Sequence, residues 1–197
     1  SNIEFGTPLK GKDNKYFINS SHTVDEETCD IICQFGPDVY NKNKINEEAQ
    51  SVEFVIKNEK LLEFIKECDE QFLNLAKEKK EMFFPDQNIT DNYLEQAFMQ
   101  SIKSIKKTNV FKVRTSSVLG IFTSNRDVLT CNDIDINDKL SIIVQISGLW
   151  FTKTRFGITW MLKQIKKNET KADKVGESLF YDDDEESEEL GNVFPDE

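Results

Sequence analysis

Apolar residues in the first half of the chain recur with two different periods. In residues 51–57 they alternate with polar residues, which predicts a half-buried β-strand. In residues 59–82 they recur at three- and four-residue steps, which predicts an amphipathic helix. Pro85 ends this helix, because proline lacks the backbone N–H that a helix interior needs.

A second helix is predicted after this break. Thr90 or Asp91 can cap it, and its apolar positions continue to Ile105. Three lysines within residues 103–107 then suit the negative end of the helix dipole, so no ligand is needed to explain them.

Strands are predicted on both sides of the two helices. The first covers residues 28–36 and ends at the Gly36-Pro37 pair. The later strands are residues 110–116 and 118–124, followed by a long hairpin of residues 140–151 and 155–167.

This order of strands, helices and strands indicates the α+β class. An OB-like Greek-key β-barrel with an inserted pair of helices fits it. The predicted division is an N-terminal arm or edge strand (residues 1–23), an OB-like domain (24–170) with the helical insertion at about 58–107, and a disordered acidic tail (171–197).

Each strand of the final hairpin has an apolar face and a polar face. The predicted core positions are Leu140, Ile142, Val144, Ile146, Phe156, Ile158, Trp160 and Leu162. The opposite face of the second strand carries Arg155, Thr159, Lys163 and Lys167, which predicts a basic stripe along the sheet.

Charge is distributed unevenly along the chain. The formal net charge is −11, yet residues 99–167 contain 12 basic and 4 acidic residues. Residues 1–98 contain 11 basic and 20 acidic residues, and residues 168–197 contain 2 and 12. The basic segment therefore coincides with the aromatic hairpin, which favours a nucleic-acid ligand.

A single nucleic-acid strand needs cations for its phosphates and flat side chains for its bases. Phe151 is out of phase with the core positions and is expected to be exposed, whereas a β-bulge at Gly148 would exchange the faces of residues 149–151. The candidate binding residues are Lys112, Arg114, Trp150, Phe151, Lys153, Arg155, Phe156, Lys163 and Lys167.

The closing segment, residues 139–166, contains a hydrophobic strand, S-G-hydrophobic-W from Ser147 to Trp150, a polar turn, and aromatic-G-hydrophobic-T-aromatic from Phe156 to Trp160. This pattern resembles the closing segment of the single-stranded DNA-binding proteins of nucleocytoplasmic large DNA viruses. The resemblance implies an OB-like fold, cooperative coating of single strands during replication, and a virus-infected cell as the setting.

The acidic tail has ten acidic residues and no basic residue between Gly176 and Glu197. It can serve solubility alone, or it can mimic DNA and compete for the basic surface. Its apolar residues Leu190, Val193 and Phe194 are candidates for docking into a partner's pocket. An acidic tail with an apolar tip resembles the C-terminal tails of many single-strand-binding proteins, and this resemblance implies recruitment of replication proteins.

No cofactor or metal is predicted, because the four cysteines form no C-x-x-C pair and the chain has one histidine. Cys29 and Cys33 are expected to be buried, reduced thiols of one strand, which suits the reducing cytoplasm or nucleus. No membrane span or signal peptide is predicted.

Several alternatives stay open at this stage. RNA is a second candidate ligand, a homo-oligomer is a candidate state, and a structural or chaperone-like protein-interaction module is the main alternative function. An enzyme and a duplex-binding protein rank lower, because neither a catalytic motif nor a base-reading helix is present.

Overall fold

The computed structural model describes residues 2–10, 15–24, 27–84 and 88–169. Most of these residues lie in strands, and the helices fall between the sixth and seventh strands. The strands are β1 (Asn2–Phe5), β2 (Leu9–Lys10), β3 (Tyr16–Val24), β4 (Glu27–Cys29), β5 (Ile31–Asn41), β6 (Ser51–Ile56), β7 (Phe98–Met99), β8 (Ile102–Ile105), β9 (Thr108–Phe122), β10 (Lys139–Phe151) and β11 (Phe156–Lys167). The helices are α1 (Glu59–Glu78), α2 (Lys80–Phe83) and α3 (Asp91–Ala97), and a 3₁₀ turn lies at Cys131–Asp133.

Five long strands pair in a circuit that returns to its start. The order is β5, β6, β9, β11 and β10, and β10 pairs again with β5. Only the β9–β11 pair of this circuit is parallel. The edge of β10 that faces away from β11 is shared, because β5 pairs with its first half and β3 with its second.

The interior of the circuit is the hydrophobic core. In β6 the apolar residues Val52, Phe54 and Ile56 are buried at alternate positions, as predicted. All eight core positions predicted for the final hairpin are buried, from Leu140 to Leu162. The period-two pattern is thus confirmed where one sheet face is buried.

Helix α1 confirms the predicted amphipathic helix. The Asn58 side chain caps it by accepting a hydrogen bond from the backbone N–H of Leu61 at 3.1 Å. Its inner side buries Ile65 and Phe72, and Phe72 packs edge-on against Phe5 of β1. The helix therefore joins the N-terminal strand to the core.

The prediction that the second helix continues to Ile105 is wrong. Helix α3 ends at Ala97, and β8 forms a hairpin with the start of β9. Lys106 and Lys107 form its turn with φ angles of 46° and 67°, the positive values of a tight hairpin turn. These lysines connect two strands and do not end a helix.

The prediction that Gly36-Pro37 ends a strand is also wrong, because β5 continues to Asn41. The β5–β10 register passes from Phe35 opposite Ile142 to Val39 opposite Leu140. The proline therefore lies in a β-bulge. No regular hydrogen bond between the strands is lost there, although proline has no backbone N–H. The strands predicted for residues 110–116 and 118–124 are likewise one strand, β9.

Cys29 and Cys33 lie in two different strands, and both are only half-buried, so the prediction of one strand with buried thiols is wrong. The segment predicted as an arm contributes β1, β2 and most of β3 to the sheet. The predicted acidic tail, with Leu190, Val193 and Phe194, lies outside the described residues.

Candidate nucleic-acid interface

The tip of the β10–β11 hairpin presents two cations to solvent. The Thr152 N–H donates to the Arg155 carbonyl at 2.8 Å, and the Arg155 N–H donates to the Thr152 hydroxyl at 3.1 Å. These bonds fix a short turn in which Lys153 and Arg155 are exposed. The tip is thus an ordered, positively charged end of the sheet.

A bulge at Gly148 decides which aromatic residue of β10 faces outward. The β10–β11 register passes from Ile146 opposite Trp160 to Gly148 opposite Thr159, so one residue of β10 is extra. Gly148 has a φ of +134°, and a Cβ there would lie 1.8 Å from the carbonyl oxygen of Ile18. Glycine is therefore required where β3 approaches β10.

The prediction that Phe151 is exposed is wrong, and Phe156 does not offer an outer platform either. Phe151 is 4% exposed and Phe156 is 2% exposed. Their rings stack on each other in the core, with centroids 5.2 Å apart and planes 5° apart. The bulge has exchanged the faces, so Phe151 points inward and Trp150 points outward.

Trp150 is the centre of an outer surface that we call the tryptophan face (Phe17, Met99, Arg114, Trp150 and Arg155). Phe17 of β3 lies directly opposite Trp150, so both point to the same side of the sheet. The indole covers Gly157, where a Cβ would lie 3.2 Å from its Nε1 and Cζ2 atoms. Met99 lies opposite Gly157, and Arg155 donates to its sulfur at 3.2 Å.

Arg114 adds a cation to this face from the other side. It lies opposite Met161 of β11, and its guanidinium reaches to 5.4 Å from the ring centroid of Phe17. Lys112, two residues earlier on β9, is exposed on the same side. The sequence predicts that Lys112 and Arg114 extend the hairpin's basic surface if their strand lies in the same sheet as the hairpin. That condition is met, because β9 pairs with β11.

Lys112 has an acidic neighbour, Glu53, directly opposite it on β6. The carboxylate of Glu53 already accepts hydrogen bonds from the ammonium of Lys42 and from Asn43. The hydrogen bond from Lys42 holds the pKa of Glu53 below its usual value, and the charge of Lys112 lowers it further. Because Lys42 shares this carboxylate, the positive charge of Lys112 is only partly compensated.

The predicted basic stripe along β11 is not continuous. Thr159 is buried, and Lys163 is half-buried at a second register shift between β10 and β11. Lys167 lies at the far end of the strand and binds the carboxylate of Asp138 at 2.9 Å. The structure therefore brings Arg114, Trp150 and Arg155 to the tryptophan face. Lys112 lies two residues from Arg114 on β9 and Lys153 lies in the tip beside Arg155, whereas Lys163 and Lys167 are farther along β11.

A cleft of about 800 Å³ lies at the hairpin tip, and Lys153 and Arg155 of the tip are part of its lining. Tyr16, Met82 and Tyr93 line it with 42–43% of their surfaces exposed. The tip borders the cleft, with the Tyr93 hydroxyl 3.5 Å from the carbonyl oxygen of Lys153. We call it the tyrosine cleft; its floor includes the buried Phe151 and Phe156.

Sequence reasoning missed Phe17, Met99, Tyr16 and Tyr93. Their positions depend on pairings of β3 and β7 with distant strands, for which local periodicity gives no signal. The alternation within "YFI" could have shown only that Tyr16 and Phe17 face opposite sides.

A buried carboxyl supports the inner side of the same sheet. Asp69 of α1 accepts hydrogen bonds from the backbone N–H of Ser101 at 2.8 Å and from its hydroxyl at 2.6 Å. The Ser101 hydroxyl in turn accepts from the indole N–H of Trp160 at 2.7 Å. Burial raises the pKa of Asp69 to about 6, against the lowering effect of the Ser101 bonds.

The described residues include no group of three or more histidine, cysteine, aspartate and glutamate side chains that could hold a metal ion. Across the same residues, no helix is both long and apolar enough to cross a membrane.

The fold is shared with a phage protein that binds single-stranded DNA. Gp2.5, a single-stranded DNA-binding protein encoded by bacteriophage T7, is 14% identical, with 85% of this chain and 100% of that chain covered and a TM-score of 0.51. The single-stranded DNA-binding protein of bacteriophage Enc34, in complex with single-stranded DNA, is 15% identical, with 83% and 95% covered and a TM-score of 0.42.

The chain belongs to a family described as Family of unknown function (DUF5871), whose model matches residues 41–183. No curated protein matches the chain.

Proposed function

We propose that this chain binds single-stranded DNA on the tryptophan face. The observation that carries the proposal is the outward indole of Trp150 beside Phe17, with the guanidinium groups of Arg114 and Arg155 around it. Exposed aromatic rings stack on unpaired bases, and neighbouring cations neutralise phosphates. The fold shared with the T7 protein supports this proposal.

The circuit of five strands is, in this proposal, an OB-like Greek-key barrel. Its strand order and its one parallel pair support that interpretation. Together with the resemblance of residues 139–166, it favours a protein of the nucleocytoplasmic large DNA virus type. Such a protein coats and protects single strands in viral DNA replication, recombination or repair, and the role requires no catalysis.

The acidic tail has two roles in the proposal. Its ten acidic residues between Gly176 and Glu197 compete with DNA for the cations of the tryptophan face and the hairpin tip. Its apolar residues Leu190, Val193 and Phe194 recruit replication proteins. Ending the chain at Val175 removes both features and leaves every described strand in place.

The test is binding to a fluorescently labelled poly-dT oligonucleotide with duplex DNA as competitor. We expect micromolar or tighter binding that duplex DNA does not displace, that salt weakens, and that is stronger for the chain ending at Val175. If four cations (Lys112, Arg114, Lys153 and Arg155) contact phosphates, the logarithm of the binding constant falls with the logarithm of salt concentration with a slope of about −3. The proposal fails if neither chain binds at low salt.

A protein-interaction module is the second candidate function, and the tyrosine cleft favours it. Three exposed side chains of apolar or aromatic character around one cavity are typical of a partner site. A chain that binds no oligonucleotide, but whose binding to a purified replication protein depends on Tyr16 and Tyr93, would establish this alternative.

A further inference from the structure

The sheet face that carries Trp150 continues to the far end of β11. Met161 lies opposite Gln145, Gln164 opposite Ile143, and Lys166 opposite Ser141. The register shift beside Lys163 keeps this face outward, because Leu162 and Ile165 are both buried while Gln164 and Lys166 are exposed. This side of the hairpin, which we call the outer strip, therefore extends from the tip to the opposite end. Within it Gly157, Thr159 and Ser141 are buried, whereas Met161 is half-buried and Gln164 and Lys166 are exposed.

An aromatic ring lies at this far end. Phe122, the last residue of β9, is opposite Lys166 in the parallel β9–β11 pair. Its ring lies over the backbone of Gly120, where a Cβ would be 2.7 Å from Cε2 and 3.1 Å from Cζ. Phe122 is half-buried, so the glycine supports the ring from beneath and part of it stays accessible.

The surroundings of Phe122 suit a nucleotide. It lines a cavity of about 520 Å³, together with the exposed amides of Gln34 and Gln164. Arg126 and Lys166 supply positive charge, and among the described residues no carboxylate lines the cavity. Amides donate to and accept from base edges, and the cations complement a phosphate.

Asp127 is the nearest acidic residue along the chain, and its carboxylate has a local donor. Its carboxylate accepts a hydrogen bond from the Thr123 hydroxyl at 3.1 Å. Among the described residues neither Arg126 nor Lys166 forms an ion pair with a carboxylate, so their charge is left for a ligand.

We propose that Phe122, with Gln34, Gln164, Arg126 and Lys166, is a second base-stacking station for the same DNA strand. The inference rests on the proposed function, because the occupant is the single strand that already contacts Trp150. The two stations are separated by nine residues of β11, from Gly157 to Lys166, or about 30 Å at about 3.3 Å per residue. One strand that follows the outer strip reaches both.

This separation makes the effect depend on oligonucleotide length. An extended strand covers about 7 Å per nucleotide, roughly twice the spacing of a stacked strand. An oligo-dT of about four nucleotides is then too short to contact both stations, whereas one of about twelve contacts both, and both lengths lie within the site sizes of OB-folds. Only the affinity for the longer oligonucleotide is therefore expected to depend on Phe122.

The experiment measures the affinity of the full chain and its variants for both lengths by fluorescence anisotropy. Phe122→Leu keeps an apolar side chain over Gly120 and removes the aromatic face, so the fold is retained. We expect it to weaken binding of the long ligand about 5- to 150-fold and to leave the short ligand unchanged. Phe64→Leu, at an exposed aromatic position of α1, is the matched control and should change neither.

Trp150→Leu separates this inference from the proposed function, and it is expected to weaken binding of both lengths. If Trp150→Leu weakens binding of both oligonucleotide lengths and Phe122→Leu weakens binding of neither, the inference of a second stacking site at Phe122 is overturned and the proposed function stands. Equal weakening of both lengths by Phe122→Leu also overturns it, because the effect would then be structural. If the unaltered chain binds neither ligand, the proposed function itself fails.

Discussion

The two tryptophans of the chain lie on adjacent strands of one hairpin and have opposite surroundings. Trp160 is 2% exposed, packs against Phe35 and Phe111, and donates its indole N–H to Ser101. Trp150 is half-buried on the outer face, beside Phe17 and over Gly157. One residue type therefore serves the core in one strand and a solvent-facing surface in the other.

The difference arises from the backbone and not from the local composition. Both tryptophans lie in apolar segments that also contain glycine. The extra residue in β10 before Gly148 reverses the alternation, so Leu149 and Phe151 turn inward and Trp150 turns outward. A functional surface on an apolar strand is thus produced by one bulge.

The largest effect on stability is expected from removing the inner tryptophan. Trp160→Ala leaves a cavity between Phe35 and Phe111 and removes the donor to Ser101, so we expect a loss of about 3–5 kcal/mol in the free energy of unfolding. Urea denaturation measures this loss. Trp150→Ala is the paired variant and should cost less than about 1 kcal/mol, because its ring is partly in water; equal losses would contradict the inner–outer distinction.

The next effect concerns the pH dependence of the free energy of unfolding, which arises from Asp69 on the inner side of the sheet. The pKa of Asp69 is about 6 in the folded chain and 3.8 for an ordinary aspartate, so the folded chain binds this proton more tightly. The resulting stability is fully present below pH 3.8 and is lost as the pH rises through about 6. The loss is about 3 kcal/mol by linkage.

Asp69→Asn tests this effect, because an amide does not titrate. Urea denaturation of both chains at pH 4 and pH 7 gives the difference, and the shared carboxylates cancel in the comparison. We expect the unaltered chain to lose about 2 kcal/mol more than the variant between the two pH values, because part of the effect is already lost at pH 4. Parallel pH profiles would show that Asp69 has an ordinary pKa in the folded chain.

The outer side is tested by DNA affinity. Trp150→Ala should weaken poly-dT binding by about 1–3 kcal/mol, the contribution of one base stacked on an aromatic ring. Phe64→Ala is the control, because Phe64 is an exposed aromatic residue of α1 outside the tryptophan face. Anisotropy titrations that show equal affinity for the two variants would remove Trp150 from the site.

The smallest effect is expected from a single cation of the tip. Lys153→Gln should reduce the magnitude of the salt slope of poly-dT binding by about 0.7, because one phosphate contact is lost. Lys66→Gln, an exposed position on α1, should leave the slope unchanged. An unchanged slope for Lys153→Gln would mean that the tip does not touch the DNA backbone.

The elements with one buried face could be predicted from the sequence. The alternation in β6, the period of α1 and the core positions from Leu140 to Leu162 follow from burial of one side, which local pattern records. The same reasoning placed Lys112 and Arg114 on the exposed side of β9.

The remaining features depend on contacts between distant parts of the chain. Phe17 reaches Trp150 only because β3 pairs with β10, and the sequence contains no local sign of that pairing. Helix α3 stops early because β8 gains a partner in β9, which overrides its helical period. The prediction for Phe151 is wrong because the orientation of its side chain depends on the bulge at Gly148.

The central claim is that bases of single-stranded DNA stack on Trp150, and tryptophan fluorescence tests it most directly. In Trp160→Phe the only remaining tryptophan is Trp150, and in Trp150→Phe it is Trp160. Titration with poly-dT should quench the emission of the first variant and leave that of the second nearly unchanged. Quenching confined to Trp160, or binding with no quenching in either variant, would contradict the claim.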